Sequence, residues 1–245
     1  MIEYQAPDLN LMSGVISVAT ATLACLIFIF TTTSKRFKTH FQNKFSPPTA
    51  SIRKVLHQRM LGTILYGLIP AGIILFVFQR PMNQFGLATG NIMKSFLWWI
   101  PLACLVVLIT YVGARNEYNL ARYPQIRVNQ WNRGLLWLSA MSWVIYLIGY
   151  EFLFRGFLLF SCLESFGYWS AIIINICLYS LFHIHKGFRE AFGSLFFGFI
   201  LCYLTLYLGS LWFAIGIHVT LALSNEWFSL GFQPDMKLVK NGGIK

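Results

Sequence analysis

Long apolar runs separated by short polar segments dominate the chain. Each run has about the 20 residues that a helix needs to cross the hydrocarbon core of a bilayer. The predicted spans are Leu11–Thr33, Met60–Phe78, Ser95–Ala114, Gly134–Leu163, Phe166–Ile184, Ala191–Leu208 and Leu211–Leu230. The pattern predicts an all-α fold, a polytopic membrane helix bundle with about seven transmembrane helices.

The composition supports this prediction and narrows the class of partner. Of the 245 residues, 57% are hydrophobic and only 11% are charged, whereas soluble domains carry about 25% charged residues. The net charge of +11 would suggest a nucleic-acid partner in a soluble protein. Here the basic residues lie in the loops between apolar runs, so they indicate membrane topology and contact with membrane lipid, and no nucleic acid is expected.

The distribution of lysine and arginine predicts the orientation. Sixteen of them lie in the loops after spans one, three and five and in the tail, and only Arg80 and Lys94 lie in the alternate loops. Cytoplasmic loops carry the excess of basic residues, so we expect the amino terminus outside and the carboxyl terminus in the cytoplasm. The expected location is a bacterial inner (plasma) membrane. The first ten residues contain no lysine or arginine, so the first run is kept as a span and not taken as a signal peptide.

A proline-rich sequence divides the first span from the rest. The segment Ser46-Pro47-Pro48-Thr49 is expected to break any helix in the basic loop Ser34–Arg59. We therefore expect residues 1–59 to form a peripheral first transmembrane helix with a basic cytoplasmic loop. Residues 60–245 are expected to form the membrane helical core.

One carboxylate and one guanidinium interrupt the fourth apolar run. Glu151 and Arg155 are four residues apart, so they share a helix face and can meet. Charges inside an apolar helix are costly unless they pair or face water or protein, which makes Glu151 a candidate functional residue. The pair is also compatible with a purely structural role in joining helices.

Two histidines lie within later runs, His183 in the fifth and His218 in the seventh. From the helical rise per residue, Glu151 lies roughly 20 Å and His183 roughly 27 Å from the turn that joins their helices. By the same measure, His218 lies roughly 12 Å from the turn that joins the sixth and seventh spans. These depths allow all three side chains to meet in mid-membrane. A lone histidine in an apolar helix is more often a packed, hydrogen-bonded residue.

Such a cluster suits hydrolysis. Glu151 can take a proton from water, and Arg155 can hold the carboxylate ionised and oriented. The histidines can position the water, donate to a developing oxyanion, or bind zinc as neutral imidazoles. The cofactor stays open between none and a zinc ion held by Glu151, His183 and His218. Asn175, in a run of isoleucines, is expected to make a hydrogen bond between helices.

Three motifs, taken in order, resemble those of a known family. They are YEFLFRG at Tyr150–Gly156, similar to E-E-x-x-x-R followed by glycine, then Tyr179-x-x-x-His183, and the run from Gly209-Ser210-Leu211-Trp212 to His218. They are similar to the motifs of the CPBP intramembrane proteases, the CAAX-protease and bacteriocin-processing family, also called Abi, and the resemblance covers about residues 131–230.

The resemblance implies a helical membrane core with a site that opens into the bilayer interior. It implies endopeptidase activity on a lipidated or hydrophobic peptide or protein. By motif match, Glu151, Arg155, His183 and His218 carry over as site residues, and Tyr179 is an accessory candidate.

The chain departs from the family pattern at two positions. The first glutamate of the family, usually the general base, is Tyr150 here, and a phenol is protonated at neutral pH. Glu151 can take over this role only with a rotation or kink of the helix, since neighbouring residues point about 100° apart. The asparagine or aspartate four residues after the histidine is Ala222, and Asn225 lies about 10 Å from that histidine along the helix. Tyr150 and Asn225 are accessory candidates, and Glu226 is expected to be solvated or paired.

Three functions are compatible with these residues. The first is an intramembrane endopeptidase in which Glu151 activates water with the help of two histidines. The second is a catalytically inactive membrane scaffold that binds a partner protein, as the two departures suggest. The third is a proton-coupled transporter, against which the absence of a repeat and of paired broken helices counts.

Overall fold

The computed structural model describes residues 9–239, and this part of the chain is mostly helical. Its α-helices are α1 (Leu9–Thr33), α2 (Lys35–Lys44), α3 (Pro47–Thr63), α4 (Ile69–Gly72), α5 (Ile92–Gly113), α6 (Glu117–Leu120), α7 (Arg133–Glu151), α8 (Leu159–Phe166), α9 (Tyr168–Leu181), α10 (Phe188–Leu208) and α11 (Trp212–Phe232). The π-helical segments are Ile64–Leu68, Ile73–Phe78 and Phe152–Leu158, and the 3₁₀ turns are Met82–Phe85 and Ile184–Lys186. Two short strands, β1 (Gln130–Trp131) and β2 (Lys237–Leu238), complete the described residues.

Six helical runs in the described residues are long and apolar enough to cross a bilayer. They are Leu11–Thr33, Pro47–Phe78, Ile92–Gly113, Arg133–Phe166, Tyr168–Lys186 and Phe188–Leu208. They overlap the first six predicted spans, and they confirm the all-α polytopic bundle of an integral membrane protein. The seventh predicted span is also a helix, α11, but it is not among the six runs. The count of seven spans therefore stays a prediction.

The predicted basic loop Ser34–Arg59 is largely helical, which corrects the sequence interpretation. The chain does break at residues 45–46, but Pro47 then opens α3, which runs on through the π-helical segments to Phe78. Proline is tolerated in the first turn of a helix because its missing N–H has no partner there. Arg59 consequently lies in a helix and is buried, and it is not a solvated loop residue.

The described residues form two compact units. The first contains residues 9–29, Ile64–Ile92 and Gly149–Ala214, and the second contains Phe30–Thr63, Met93–Ile148 and residues 215–239. The predicted division of the chain at residue 59 stays a prediction.

Small residues let helices of the first unit approach closely. The backbone N–H of Gly14 donates to Ser165 Oγ at 2.9 Å, and a Cβ at Gly14 would lie 2.6 Å from the Ser165 side chain. This contact packs α1 against α8. A Cβ at Gly67 would lie 3.3 Å from the Cα of Gly149, so the first π-helical segment and the end of α7 touch through their backbones. Small residues at such crossings are typical of membrane helix packing.

In the second unit, a short strand pair connects the segment before α7 with the segment after α11. Strand β1 precedes α7, strand β2 follows α11, and the two pair in parallel. Lys237 N–H donates to Asn129 O at 2.8 Å, and Val239 N–H donates to Trp131 O at 2.8 Å. The first residues of α7 and the segment after α11 are therefore held side by side.

A buried ion pair ties three helices of the second unit. Arg59 Nη2 of α3 lies 3.6 Å from Glu226 Oε1 of α11, and both side chains are buried. Arg59 Nη1 also donates to Ser139 O at 2.8 Å and to Ser142 Oγ at 2.7 Å, both on α7. Glu226 is therefore paired, one of the two states expected of it, and Arg59 is its partner.

Candidate active site

The candidate site is built where α7 gives way to a π-helical segment. Helix α7 ends at Glu151, Phe152–Leu158 is π-helical, and α8 continues the same run. A π-helical turn bonds residue i to residue i+5, so it shifts the helical register, and such turns occur frequently at functional sites. The sequence predicted that a functional Glu151 would require a rotation or kink, and this change of register begins at the next residue.

The run that carries this segment is surrounded by protein. Of the most apolar window of Arg133–Phe166, 72% is buried, against 17–39% for the other five apolar runs. Glu151 and Arg155, in the buried part of this run, therefore face the protein interior and avoid lipid, which is the arrangement expected of functional charges in membrane proteins.

The predicted pairing of Glu151 and Arg155 is present. Arg155 Nη1 lies 3.4 Å from Glu151 Oε1, and neither side chain is exposed to any measurable extent. An ion pair in such a place is costly to break, because removing one partner leaves a buried charge uncompensated. The arginine therefore compensates the charge of the carboxylate and restricts the direction in which it points.

Arg155 also lies against the accessory candidate Tyr179. The guanidinium carbon is 4.1 Å from the centre of the Tyr179 ring, which is a cation–π contact. Gly198 of α10 makes room for both side chains, since a Cβ there would lie 3.1 Å from Tyr179 Cδ1 and 3.5 Å from Arg155 Nη2. Three helical segments thus meet at the arginine.

His183 lies next to Tyr179 at the end of α9. The two ring centres are 4.5 Å apart, and His183 Nδ1 is 2.7 Å from the carbonyl oxygen of Tyr179. A carbonyl only accepts hydrogen bonds, so Nδ1 carries the proton, and Nε2 of the neutral ring is then an acceptor. The backbone bond therefore fixes both the orientation and the tautomer of His183.

Tyr150, at the position of the family's first glutamate, faces the same cluster. Its ring centre lies 5.9 Å from that of Tyr179, 6.3 Å from that of His183 and 5.5 Å from that of Tyr66. Of the two neighbouring residues, Tyr150 contacts the histidine and Glu151 contacts Arg155. The first unit thus brings together Tyr150, Glu151, Arg155, Tyr179 and His183.

Asn175 stabilises the π-helical segment, and its predicted hydrogen bond between helices is confirmed. Its side-chain amide donates to the carbonyl oxygen of Phe154, and its carbonyl oxygen accepts from Cys202 Sγ at 3.2 Å. Backbone groups freed by an irregular helix must find a partner inside a membrane protein. Asn175 supplies that partner and links α9 and α10 to the segment.

Packing explains why the first motif ends in a glycine, Gly156. A Cβ at Gly156 would lie 3.0 Å from the carbonyl oxygen of Phe85 and 2.8 Å from Phe152 Cδ2. Only a residue without a side chain lets the 3₁₀ turn at Met82–Phe85 approach the π-helical segment this closely.

His218 and Asn225 lie on α11, in the second unit. His218 is half-buried, Asn225 is half-buried two turns further along the helix, and Ala222 between them is buried. Trp99 of α5 packs beside this part of α11, since a Cβ at Gly216 would lie 2.8 Å from Trp99 Nε1. The convergence of His218 with the residues of the first unit stays a prediction.

Among residues 9–239, no group of three or more His, Cys, Asp or Glu side chains is placed to hold a metal ion. The zinc ion that the sequence left open would need Glu151 and His183 of the first unit together with His218 of the second, and it stays a prediction.

Sequence reasoning did not identify Gly198 or Cys202 as parts of this site. An isolated glycine within a helical pattern often has a packing reason, and this was the available indication for Gly198. Cys202, one of several cysteines in apolar runs, carried no such indication.

The comparison with known proteins agrees with the motifs. Residues 132–224 match the model of the Rce1-like family, described as type II CAAX prenyl endopeptidase Rce1-like. No curated protein and no solved structure matches the chain. The matched region includes Glu151, Arg155, Tyr179, His183 and His218, and it ends one residue before Asn225. Residues 132–224 of this integral membrane protein are therefore similar to the Rce1-like type II CAAX prenyl endopeptidases, in agreement with the resemblance that the sequence motifs carry.

Proposed function

We propose that the protein is an intramembrane endopeptidase of the CAAX-protease type. The observation that carries the proposal is the buried pair of Glu151 and Arg155, joined through Tyr179 to His183 within the matched region. A buried carboxylate with a fixed ionic partner, in the same unit as a histidine of defined tautomer, provides groups of the kind that general acid–base catalysis requires.

The reaction is the hydrolysis of a peptide bond. A water molecule attacks the scissile carbonyl carbon, and Glu151 accepts the proton that the water loses. The carbonyl oxygen becomes an oxyanion. When the tetrahedral intermediate collapses, the carbon–nitrogen bond breaks, and the proton held by Glu151 passes to the leaving amine.

The two histidines have different tasks in this scheme. His183 Nε2, an acceptor in the tautomer fixed by Tyr179, accepts a hydrogen bond from the attacking water and orients it. His218 donates to the developing oxyanion, which requires α11 to bring it to the other side of the scissile bond. Arg155 keeps the carboxylate ionised before the water arrives.

The expected substrate is a prenylated, otherwise lipidated, or hydrophobic peptide or protein. The family model that matches describes prenyl endopeptidases, and the site lies on an apolar run among other apolar helices. A lipid-modified tail reaches such a site from within the bilayer. The proposed location is a bacterial inner membrane with the amino terminus outside.

The test is cleavage by purified protein in detergent or nanodiscs. Glu151→Gln keeps an oxygen for Arg155 but removes the base, so cleavage of a lipidated reporter peptide should fall by about 100-fold or more. His183→Ala and His218→Ala should each reduce cleavage strongly while the thermal unfolding curve is retained.

Glu164→Gln is the matched control for the loss of a carboxylate. Glu164 pairs with Arg80 and is partly exposed, so this variant should cleave at the wild-type rate. Wild-type cleavage by Glu151→Gln would rule out Glu151 as the base.

Tyr150 favours a second candidate function, an inactive membrane scaffold that binds a partner protein. It stands where the family has its first glutamate, and it contacts His183. If the wild-type protein fails to cleave while Tyr150→Glu gains cleavage, the scaffold is the correct function. Cleavage by the wild-type protein that is lost in Glu151→Gln excludes the scaffold.

A further inference from the structure

A large groove lies in the second unit, outside the site described above. Its volume is about 700 Å³, within the range of roughly 300–1,000 Å³ that is usual for sites binding small molecules. Helices α7 and α11 form its walls, and residues 236–238 line one end, which we call the mouth.

The walls of the groove are apolar and include two exposed tryptophans. Leu136, Trp137 and Ala140 of α7 face it from one side, and Trp227 and Leu230 of α11 face it from the other. Trp137 is 70% exposed and Trp227 is 48% exposed. Tryptophan is enriched at the level of the lipid headgroups, where its ring spans the boundary between hydrocarbon and water.

Two basic residues stand at the mouth of the groove. Arg133 begins α7, and Lys237 belongs to the strand that follows α11, so both mark the same end of the groove. The backbone bond from Lys237 N–H to Asn129 O, at 2.8 Å, holds that strand beside the start of α7. Neither side chain forms an ion pair with another residue in the part of the chain that the structure describes.

The geometry points to a binding site for an anionic phospholipid. The phosphate lies between Arg133 and Lys237, and one acyl chain follows the groove between Trp137 and Trp227. The positive charge at the mouth matches the phosphate group of such a lipid, and the apolar walls match its acyl chain. Both basic residues belong to segments predicted to be cytoplasmic, and the cytoplasmic leaflet is the one that carries the negative surface potential.

The test compares phosphatidylglycerol with phosphatidylcholine as ligands of the full chain. Native mass spectrometry in detergent measures how much of each lipid the protein retains. Two basic residues near a lipid surface should favour phosphatidylglycerol by about 30-fold. The double variant Arg133→Gln/Lys237→Gln should reduce this preference to a few-fold.

A matched control removes the same charge elsewhere. Arg36 and Lys38 lie on the exposed face of α2, so Arg36→Gln/Lys38→Gln should keep the wild-type preference. Ala140→Leu narrows the groove without changing charge, and it should weaken retention of both lipids in protein whose unfolding curve is unchanged.

Photocrosslinking locates the bound lipid. A phosphatidylglycerol with a diazirine on its acyl chain should label peptides that contain Leu136–Ala140 and Trp227. Labelling spread evenly over the apolar helices, or a preference unchanged in Arg133→Gln/Lys237→Gln, would overturn the assignment. A shift from dimer to monomer in the groove variants would also overturn it and would make the groove a contact between two copies.

Discussion

Arg155 compensates the charge of Glu151 in the protein interior, so the two side chains depend on each other. The arginine is fully buried between the carboxylate and the ring of Tyr179. Glu151 therefore has two roles: it is the ionic partner of Arg155, and it is the candidate base. For the proposed hydrolysis, the pair has to remain stable in the protein interior and still leave space for a water molecule beside Glu151.

Removal of Arg155 should therefore destabilise the protein strongly. Arg155→Ala leaves a buried carboxylate uncompensated, and we expect a loss of about 3–5 kcal/mol in the free energy of unfolding. Arg80→Ala is the matched control, because it breaks the partly exposed pair with Glu164 and should cost less than about 1 kcal/mol. Chemical unfolding in mixed micelles measures both, and equal losses in the two variants would contradict the prediction.

The sequence predicted some of these contacts and could not predict others. The spacing of four residues between Glu151 and Arg155 was sufficient to predict that they meet, because helical periodicity alone decides it. The contact between Tyr150 and His183 could not be derived, since it depends on how α7 and α9 pack. Arg59 ends the predicted basic loop because it directly precedes the apolar run that begins at Met60, whereas its partner Glu226 lies far away in the sequence.

Helix α10 shapes the site through a residue that has no side chain. Gly198 leaves the space that Tyr179 and Arg155 occupy, and Asn175 ties α9 to the π-helical segment. The sequence predicted the hydrogen bond of Asn175 from its polar side chain among isoleucines. It did not predict the π-helical segment, because its residues are as apolar as those of an ordinary membrane helix.

A larger residue at position 198 should disturb the site. Gly198→Leu forces its side chain against Tyr179, and we expect a loss of about 1–3 kcal/mol in stability together with loss of cleavage. Gly193→Leu is the control on the same helix, because a Cβ there meets nothing within 4 Å. The measurements are thermal unfolding and reporter cleavage. Full activity in Gly198→Leu would show that the contact with Tyr179 is dispensable.

At the scale of the whole molecule, the distribution of lysine and arginine along the chain predicts the orientation in the membrane. The six apolar runs agree with the spans predicted from hydropathy, because run length and composition are local properties of the chain. The distance between His218 and Glu151, by contrast, is not a local property of the chain. It depends on how helices far apart in the sequence pack, which hydropathy does not encode.

Cysteine labelling of intact cells tests the predicted orientation. In a variant without native cysteines, Asn83→Cys lies between the second and third apolar runs and should react with a maleimide that does not cross membranes. Asn43→Cys, on the exposed face of α2, should react only after the cells are opened. Both positions are exposed, so accessibility depends on the side of the membrane. The reverse pattern would invert the proposed topology.

The π-helical segment has one more consequence, which concerns chain length. A wide turn accommodates about one residue more than an α-helix of the same rise. Deleting a single apolar residue from Phe152–Leu158 would let this stretch relax to ordinary winding over the same rise, so α8 would keep its direction, but the residues inside the stretch, Arg155 among them, would shift by one position, or about 100° of rotation. Insertions and deletions in this stretch therefore act on the site as directly as a substitution of the glutamate itself, although the amino acid removed touches no substrate.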